Sequence, residues 1–118
     1  MGSSSDNCIF CKIANGTIPT EKVYDSAWVA AFKDLNPQAP VHILVVPKVH
    51  IESTDEVGET NSVFISAVFE AIPIIARKLG ISGGYRVITN CGEDAGQSVK
   101  HLHFHILAGA PELKERLV

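Results

Sequence analysis

The sequence lacks any apolar run long enough to cross a bilayer. Its longest stretches, VHILVVP and AIPIIA, fall far short of the ~20 residues a spanning helix needs, so no membrane partner is expected. It also lacks a basic run. Ten Lys plus Arg stand against thirteen Asp plus Glu, a formal net charge of -3, and no window has the clustered cations that binding along a nucleic-acid duplex requires. The opening MGSSSDN has no apolar core of the kind a secretion signal carries. It reads as a disordered start over residues 1–6, followed by one domain over 7–118, and a cytoplasmic location is expected. Cysteines number only three and cannot all pair within one chain. In a reducing compartment a close Cys-x-x-Cys pair more often binds metal or does redox chemistry than forms a structural disulfide, which singles out Cys8 and Cys11.

What is present is an ordinary globular composition. The 118 residues are 46% hydrophobic and 19% charged, and a chain of this size buries about two thirds of its surface, enough for one self-sufficient core. CIFCKIANGTIPT suggests a short helix or turn and then a loop. KVYDSAWVAAFKD predicts strands near 22–24 and 27–33 as a hairpin, and a loop with two prolines follows over 35–40. The β-branched VHILVV predicts a strand over 41–46. From Thr60 to Leu79 apolar residues recur at three- and four-residue steps, the pattern of one long helix. Pro73 is expected to kink it and Gly80 to stop it. YRVITNC predicts a strand over 85–91, GEDAGQS a loop, and HLHFHILA a final strand over 101–108.

That last segment carries the chemistry. His101, His103 and His105 alternate with Leu102, Phe104 and Ile106, and strand periodicity puts the three imidazoles on one face and the apolar side chains on the other. Histidines at i and i+2 are compatible with a catalytic zinc. Cys8 and Cys11 are equally compatible with half of a closed structural zinc site, completed by histidines or by Cys91. The residues alone leave these alternatives open.

IFCKI, AFKDLNPQAPVHILVVPKVHI and GYRVITNCGEDAGQSVKHLHFHILAG, in that order and spacing, resemble the histidine triad (HIT) nucleotide hydrolases. The likeness is to the branch that includes the nucleoside phosphoramidases once described as protein kinase C inhibitor homologues. It runs from about Cys8 to Gly109. It implies an α+β fold with a mostly antiparallel sheet of about five strands and one long helix, the sheets of two copies being joined in a homodimer. It further implies that His103 is the nucleophile and that His105 and His42 flank it. A neutral imidazole suits that role, since it attacks phosphorus without first losing a proton and is afterwards a good leaving group.

By the same resemblance Gly96, Gln97 and Ser98 contact phosphate, with Ser98 close to the reacting atoms, and Asn90 lies on the phosphate and ribose side. Asp34 binds the ribose and Leu35 covers sugar or base. Ile9, Phe10 and Phe32 are implied as walls of a purine pocket, although core packing is their simpler role. Family members with Cys-x-x-C near the start hold a structural zinc, which falls here on Cys8, Cys11, His50 and His101. Cys91 stays outside that set as an unreactive strand thiol. The aromatic tail of many phosphoramidases has APELKERLV in its place. The activity implied is cleavage of purine nucleoside 5′-phosphoramidates, or related bonds at the α-phosphorus, through a nucleotidyl-histidine. The alternatives are a dinucleoside polyphosphate hydrolase and a nucleotide-sensing or scaffolding module.

Overall fold

Tight turn chemistry and strand alternation generate the first half of the chain. In the computed structural model, which describes residues 7–110 and Leu113, strands β1 (Lys22–Asp25) and β2 (Val29–Lys33) form the expected hairpin. Ser26 closes its turn by accepting from the Trp28 and Val29 amides at 3.1 Å each. Strand β3 (Val41–Pro47) pairs antiparallel with β2, from Val29 opposite Pro47 to Lys33 opposite Ile43. Helix α1 (Ile9–Ala14) precedes the hairpin and helix α2 (Ser62–Leu79) follows β3. Helix α2 ends on Gly80, whose φ of 73° is left-handed, a conformation that suits a residue without Cβ. Pro73 leaves α2 one continuous element and lies on its solvent side. Strands β4 (Arg86–Ile88) and β5 (Phe104–Ala108) complete an antiparallel five-stranded sheet of order β1-β2-β3-β5-β4. The tail expected over 1–6 lies outside the described residues.

The two faces of the sheet are covered differently. Val29, Ala31, Ile43, Val45, Leu102, Phe104 and Ile106 pack beneath α2 with Val68, Ala71, Ile72 and Ile75. On the other face Ala30, Phe32, Leu44 and Val46 pack against Cys8, Phe10, Ile13 and Ala14 of the α1 segment. Period two along β3 and the last segment therefore sends His42 and the triad histidines toward α1.

Two expectations on strand length are corrected. The last strand begins at Phe104 rather than at 101. Continuing the β3 register, in which Val45 faces Phe104, sets Pro47 opposite Leu102, and proline has no N–H to continue a ladder. The Leu102 amide instead donates to the Ile51 carbonyl at 2.6 Å. Strand β4 likewise covers 86–88 rather than 85–91. The Thr89 hydroxyl donates to the His103 carbonyl at 2.7 Å, so a side chain takes over where the ladder stops. Cys91 thus lies beyond β4, half-buried.

Candidate active site and metal cluster

Release from the ladder leaves His101 to His103 outside the strand but steered by local bonds. His103 Nδ1 lies 2.7 Å from the His101 carbonyl. A carbonyl only accepts, so Nδ1 carries the ring proton and Nε2 keeps its lone pair. The side chain is only 5% exposed, and the Phe10 ring stands edge-on to it at 5.0 Å. Burial lowers the affinity of His103 for a second proton, partly opposed by the carbonyl bond and the Asp34 charge. The imidazole is therefore neutral, with Nε2 as its free base.

His42 and His105 are ordered by the same reasoning. The Gln38 backbone amide donates to His42 Nδ1 at 2.9 Å, which places the His42 proton on Nε2. That nitrogen lies 2.8 Å from His105 Nδ1 and 3.4 Å from Asp34 Oδ2, so the shorter bond donates to His105. The proton of His105 is consequently on Nε2. Burial first, then the neighbouring His103 and His42, push the pKa of His105 down to about 4. Asp34, His42 and His105 also place ligand-type atoms within 4.8 Å of one another. A metal there would need the His42 Nε2 lone pair, yet the Gln38 bond puts a proton on that nitrogen, so the trio is better described as a hydrogen-bonded chain.

A cavity of about 560 Å³ opens in front of these groups, within the size range of small-molecule pockets. Ile9, Phe10, Phe32 and Leu44 wall it, and Asp34, Leu35, Ser98, His103 and His105 reach it. Leu35 is 100% exposed at its rim. Asp34 Oδ1 accepts from the Asn36 amide at 2.8 Å, which holds the carboxylate in place. His42 stands behind His105, outside the lining.

The loop before the triad departs from simple phosphate contact. Gln97 is an internal brace: its Oε1 accepts from the Gly92 amide at 2.8 Å, and its Nε2 donates to the Glu52 and Val99 carbonyls at 2.7 and 3.0 Å. The Gly96 and Gln97 amides bond back to the Glu93 and Gly92 carbonyls. The left-handed φ of 83° at Gly96 makes that turn possible. Neither Gly96, Gln97 nor the half-buried Asn90 lines the cavity, whereas Ser98 and Val99 do.

Behind the pocket Cys8, Cys11, His50 and His101 bring four donor atoms within 4.8 Å of one another. His101 Nδ1 lies 3.2 Å from Cys8 Sγ and 3.4 Å from Cys11 Sγ, and His50 Nδ1 lies 3.4 Å from Cys11 Sγ. Nitrogen and sulfur on one tetrahedral zinc stand roughly 3.5 Å apart, given the usual bond lengths. His101 Nε2 donates to the Pro47 carbonyl at 3.0 Å, which leaves Nδ1 as the lone-pair nitrogen and supplies the outer bond that metal-ligating histidines characteristically make. His101 is fully buried, and burial drives its pKa down to about 4, keeping it neutral. Burial, and then the adjacent Cys8, push the Cys11 thiol up to about 12, a value that a bound cation would reverse. The donor set fits a closed zinc site.

Sequence reasoning missed Thr89, the Gln38 amide and the Pro47 carbonyl. Two of the three act through the main chain, which no side-chain pattern encodes.

The family model described as "Scavenger mRNA decapping enzyme C-term binding" matches residues 7–116. The protein HitA of Neisseria gonorrhoeae is 42% identical over 106 residues, covering 90% of this chain and 98% of its own. A histidine triad protein structure from Clostridium difficile superposes with a TM-score of 0.84 at 51% identity, over 95% of this chain and 94% of that one. A HIT family hydrolase structure from Clostridium thermocellum gives a TM-score of 0.86 at 46% identity, over 90% and 93%.

Proposed function

Since the chain belongs to the histidine triad family, we propose that it is a nucleotide hydrolase that cleaves purine nucleoside 5′-phosphoramidates through a covalent bond to His103. The observation that carries this reading is the bond from His103 Nδ1 to the His101 carbonyl, which presents a neutral Nε2 to the cavity. In the first step Nε2 attacks the α-phosphorus and the P–N bond breaks. The departing nitrogen takes up a proton from His105 Nε2, which is replenished from water, while the bond from His42 to His105 Nδ1 holds that tautomer. In the second step the hydroxide left by that water attacks the phosphorus and the bond to His103 breaks, which restores the neutral imidazole. The products are an amine and a nucleoside monophosphate. Asp34 accepts from the ribose hydroxyls, Leu35 lies over the base, and Ser98 with the amides beside it faces the phosphate oxygens. Gly96 and Gln97 hold that loop rather than the ligand.

Cys8, Cys11, His50 and His101 hold a structural zinc. With four protein ligands the ion has no open position, and what it supplies is a cross-link between α1 and the triad segment. The protein works as a homodimer. The exposed Val63, Phe69 and Ile74 on α2 and the outer edge of β4 support this, and sedimentation at micromolar concentration tests it.

Brief exposure to adenosine 5′-phosphoramidate followed by intact-mass measurement tests the chemistry. A nucleotidyl adduct present in the parent and missing from His103→Ala is expected. Turnover without an adduct, and undiminished in that variant, overturns the mechanism. Faster cleavage of diadenosine polyphosphates than of the phosphoramidate overturns the substrate class.

A further inference from the structure

The segment from Cys8 to Cys11 faces two sites. Its first and last residues give their sulfurs to the four-donor cluster, while the two between them, Ile9 and Phe10, wall the cavity in front of His103. The Phe10 ring lies edge-on to three others, at 5.0 Å from His103, 6.0 Å from His101 and 5.7 Å from Phe32. Helix α1, which carries Phe10, is six residues long with only Phe10, Ile13 and Ala14 buried. A helix so short does not hold its own shape in water, so its placement depends on its packing against β2 and β3 and on what fastens its start. An ion joining Cys8 and Cys11 to His50 and His101 fastens it to the segment that follows β3 and to the residue whose carbonyl orients the nucleophile.

We propose that Phe10 is a positioning residue coupling the metal cluster to the nucleotide pocket, so that zinc in the cluster tightens nucleotide binding and bound nucleotide tightens the hold on zinc. The proposal rests on the reading of the cavity as a nucleotide site and of the cluster as a zinc site. Without the ion, α1 and its Phe10 side chain sample positions that leave the purine wall incomplete. A nucleotide filling the cavity presses on the same ring and restores the spacing of the sulfurs. Linkage requires the two effects to be equal in size.

The affinity of zinc-loaded and zinc-free protein for adenosine 5′-monophosphate is measured by calorimetry at low temperature. Zinc affinity is measured by competition with a chromophoric chelator, with and without saturating monophosphate. Zinc is expected to strengthen monophosphate binding about fivefold or more, and the monophosphate to strengthen zinc binding by the same factor. In Phe10→Leu, with one zinc per chain retained, the factor should fall below twofold. Phe10→Met serves where the leucine variant does not fold. If the zinc-free chain unfolds, the chelator competition on loaded parent and variant decides alone. Both ligands binding with a factor below twofold in the parent, or a full factor persisting in the Phe10 variants, overturns the coupling and leaves the proposed function standing. A chain that binds no zinc or no monophosphate overturns the underlying reading and the coupling together.

Discussion

His103 donates its Nδ1–H to the carbonyl of His101, a residue whose own side chain belongs to the four-donor Cys/His cluster. One peptide group thus fixes the tautomer of His103, the proposed nucleophile, and also belongs to a donor of the neighbouring cluster. This bond leaves Nε2 as the only basic nitrogen of the ring, and the consequences are measurable.

Replacing His103 by Ala removes the covalent step. Turnover of a nucleoside phosphoramidate should fall at least about 10³-fold, the scale of loss when an activated nucleophile is deleted. Adenosine monophosphate binding by calorimetry should survive, because the imidazole is no part of the apolar core beneath α2.

His42→Ala breaks the chain that assigns the His105 proton. A loss of about 10²-fold in kcat is expected, the lower end of what a positioned proton donor contributes. KM should change little, since His42 lies outside the cavity lining. Steady-state kinetics separate the two parameters.

Asp34→Ala should weaken binding of ribonucleotides by about 1–3 kcal/mol, the range for hydrogen bonds to a charged group, and should leave deoxyribonucleotides less affected. Paired titrations check this. A preference for ribose unchanged in the variant removes the sugar role.

The pH dependence has a definite sign. Burial holds the pKa of His103 below its usual 6.5 and that of His105 at about 4, so the acid limb of kcat/KM should fall below pH 6.5. In stability, the unfolded chain takes up protons near 6.5 that the folded chain refuses until lower pH. Stability therefore decreases as pH falls from 6.5 toward 4, and these two residues make no contribution to a pH slope above that window. Thermal melts in the presence of a chelator, from pH 4 to 8, read the summed effect of these two and of His101, whose pKa burial also lowers.

Zinc should be found at one mole per chain with two sulfur and two nitrogen neighbours in X-ray absorption. Chelation, or the pair Cys8→Ala and Cys11→Ala, should lower the melting temperature by several degrees, because binding of a structural ion is coupled to folding. Some activity should remain at low temperature. A metal-free protein that stays fully folded but is inactive until zinc or cobalt returns favours a catalytic ion instead.

Much of this site was legible from side-chain periodicity. The alternation at 101–106 set the histidines on one face, and the helical spacing from Thr60 to Leu79 placed α2 within two residues at its start and at the right residue at its end. The implied metal residues Cys8, Cys11, His50 and His101 do converge. What periodicity could not show was main-chain termination. Nothing in RVITNC marks Thr89 as the residue whose hydroxyl replaces the ladder, and the Gln38 amide that sets the His42 tautomer has no side-chain signature. Gln97 belonged to a phosphate-loop pattern, but its side-chain amide is satisfied by main-chain groups of Gly92, Glu52 and Val99, a competition visible only after folding.

Pro47 closes β3 with an imino acid, and its lack of a donor has a consequence for how the site tolerates change. Any other residue there brings an N–H that seeks a partner across the sheet. The nearest candidate is the Leu102 carbonyl, opposite it in the continued register, while the Leu102 amide is held by Ile51. Extending the zipper by two residues would draw His101 and His103 into regular pairing and pull the His101 ring from the carbonyl it holds. The freedom of the triad's first half is thus purchased by a missing hydrogen atom on the opposite strand. In native-state hydrogen exchange of Pro47→Ala the new amide at residue 47 should be protected by the Leu102 carbonyl, and exchange at the rate of an open amide would show that no such pairing forms.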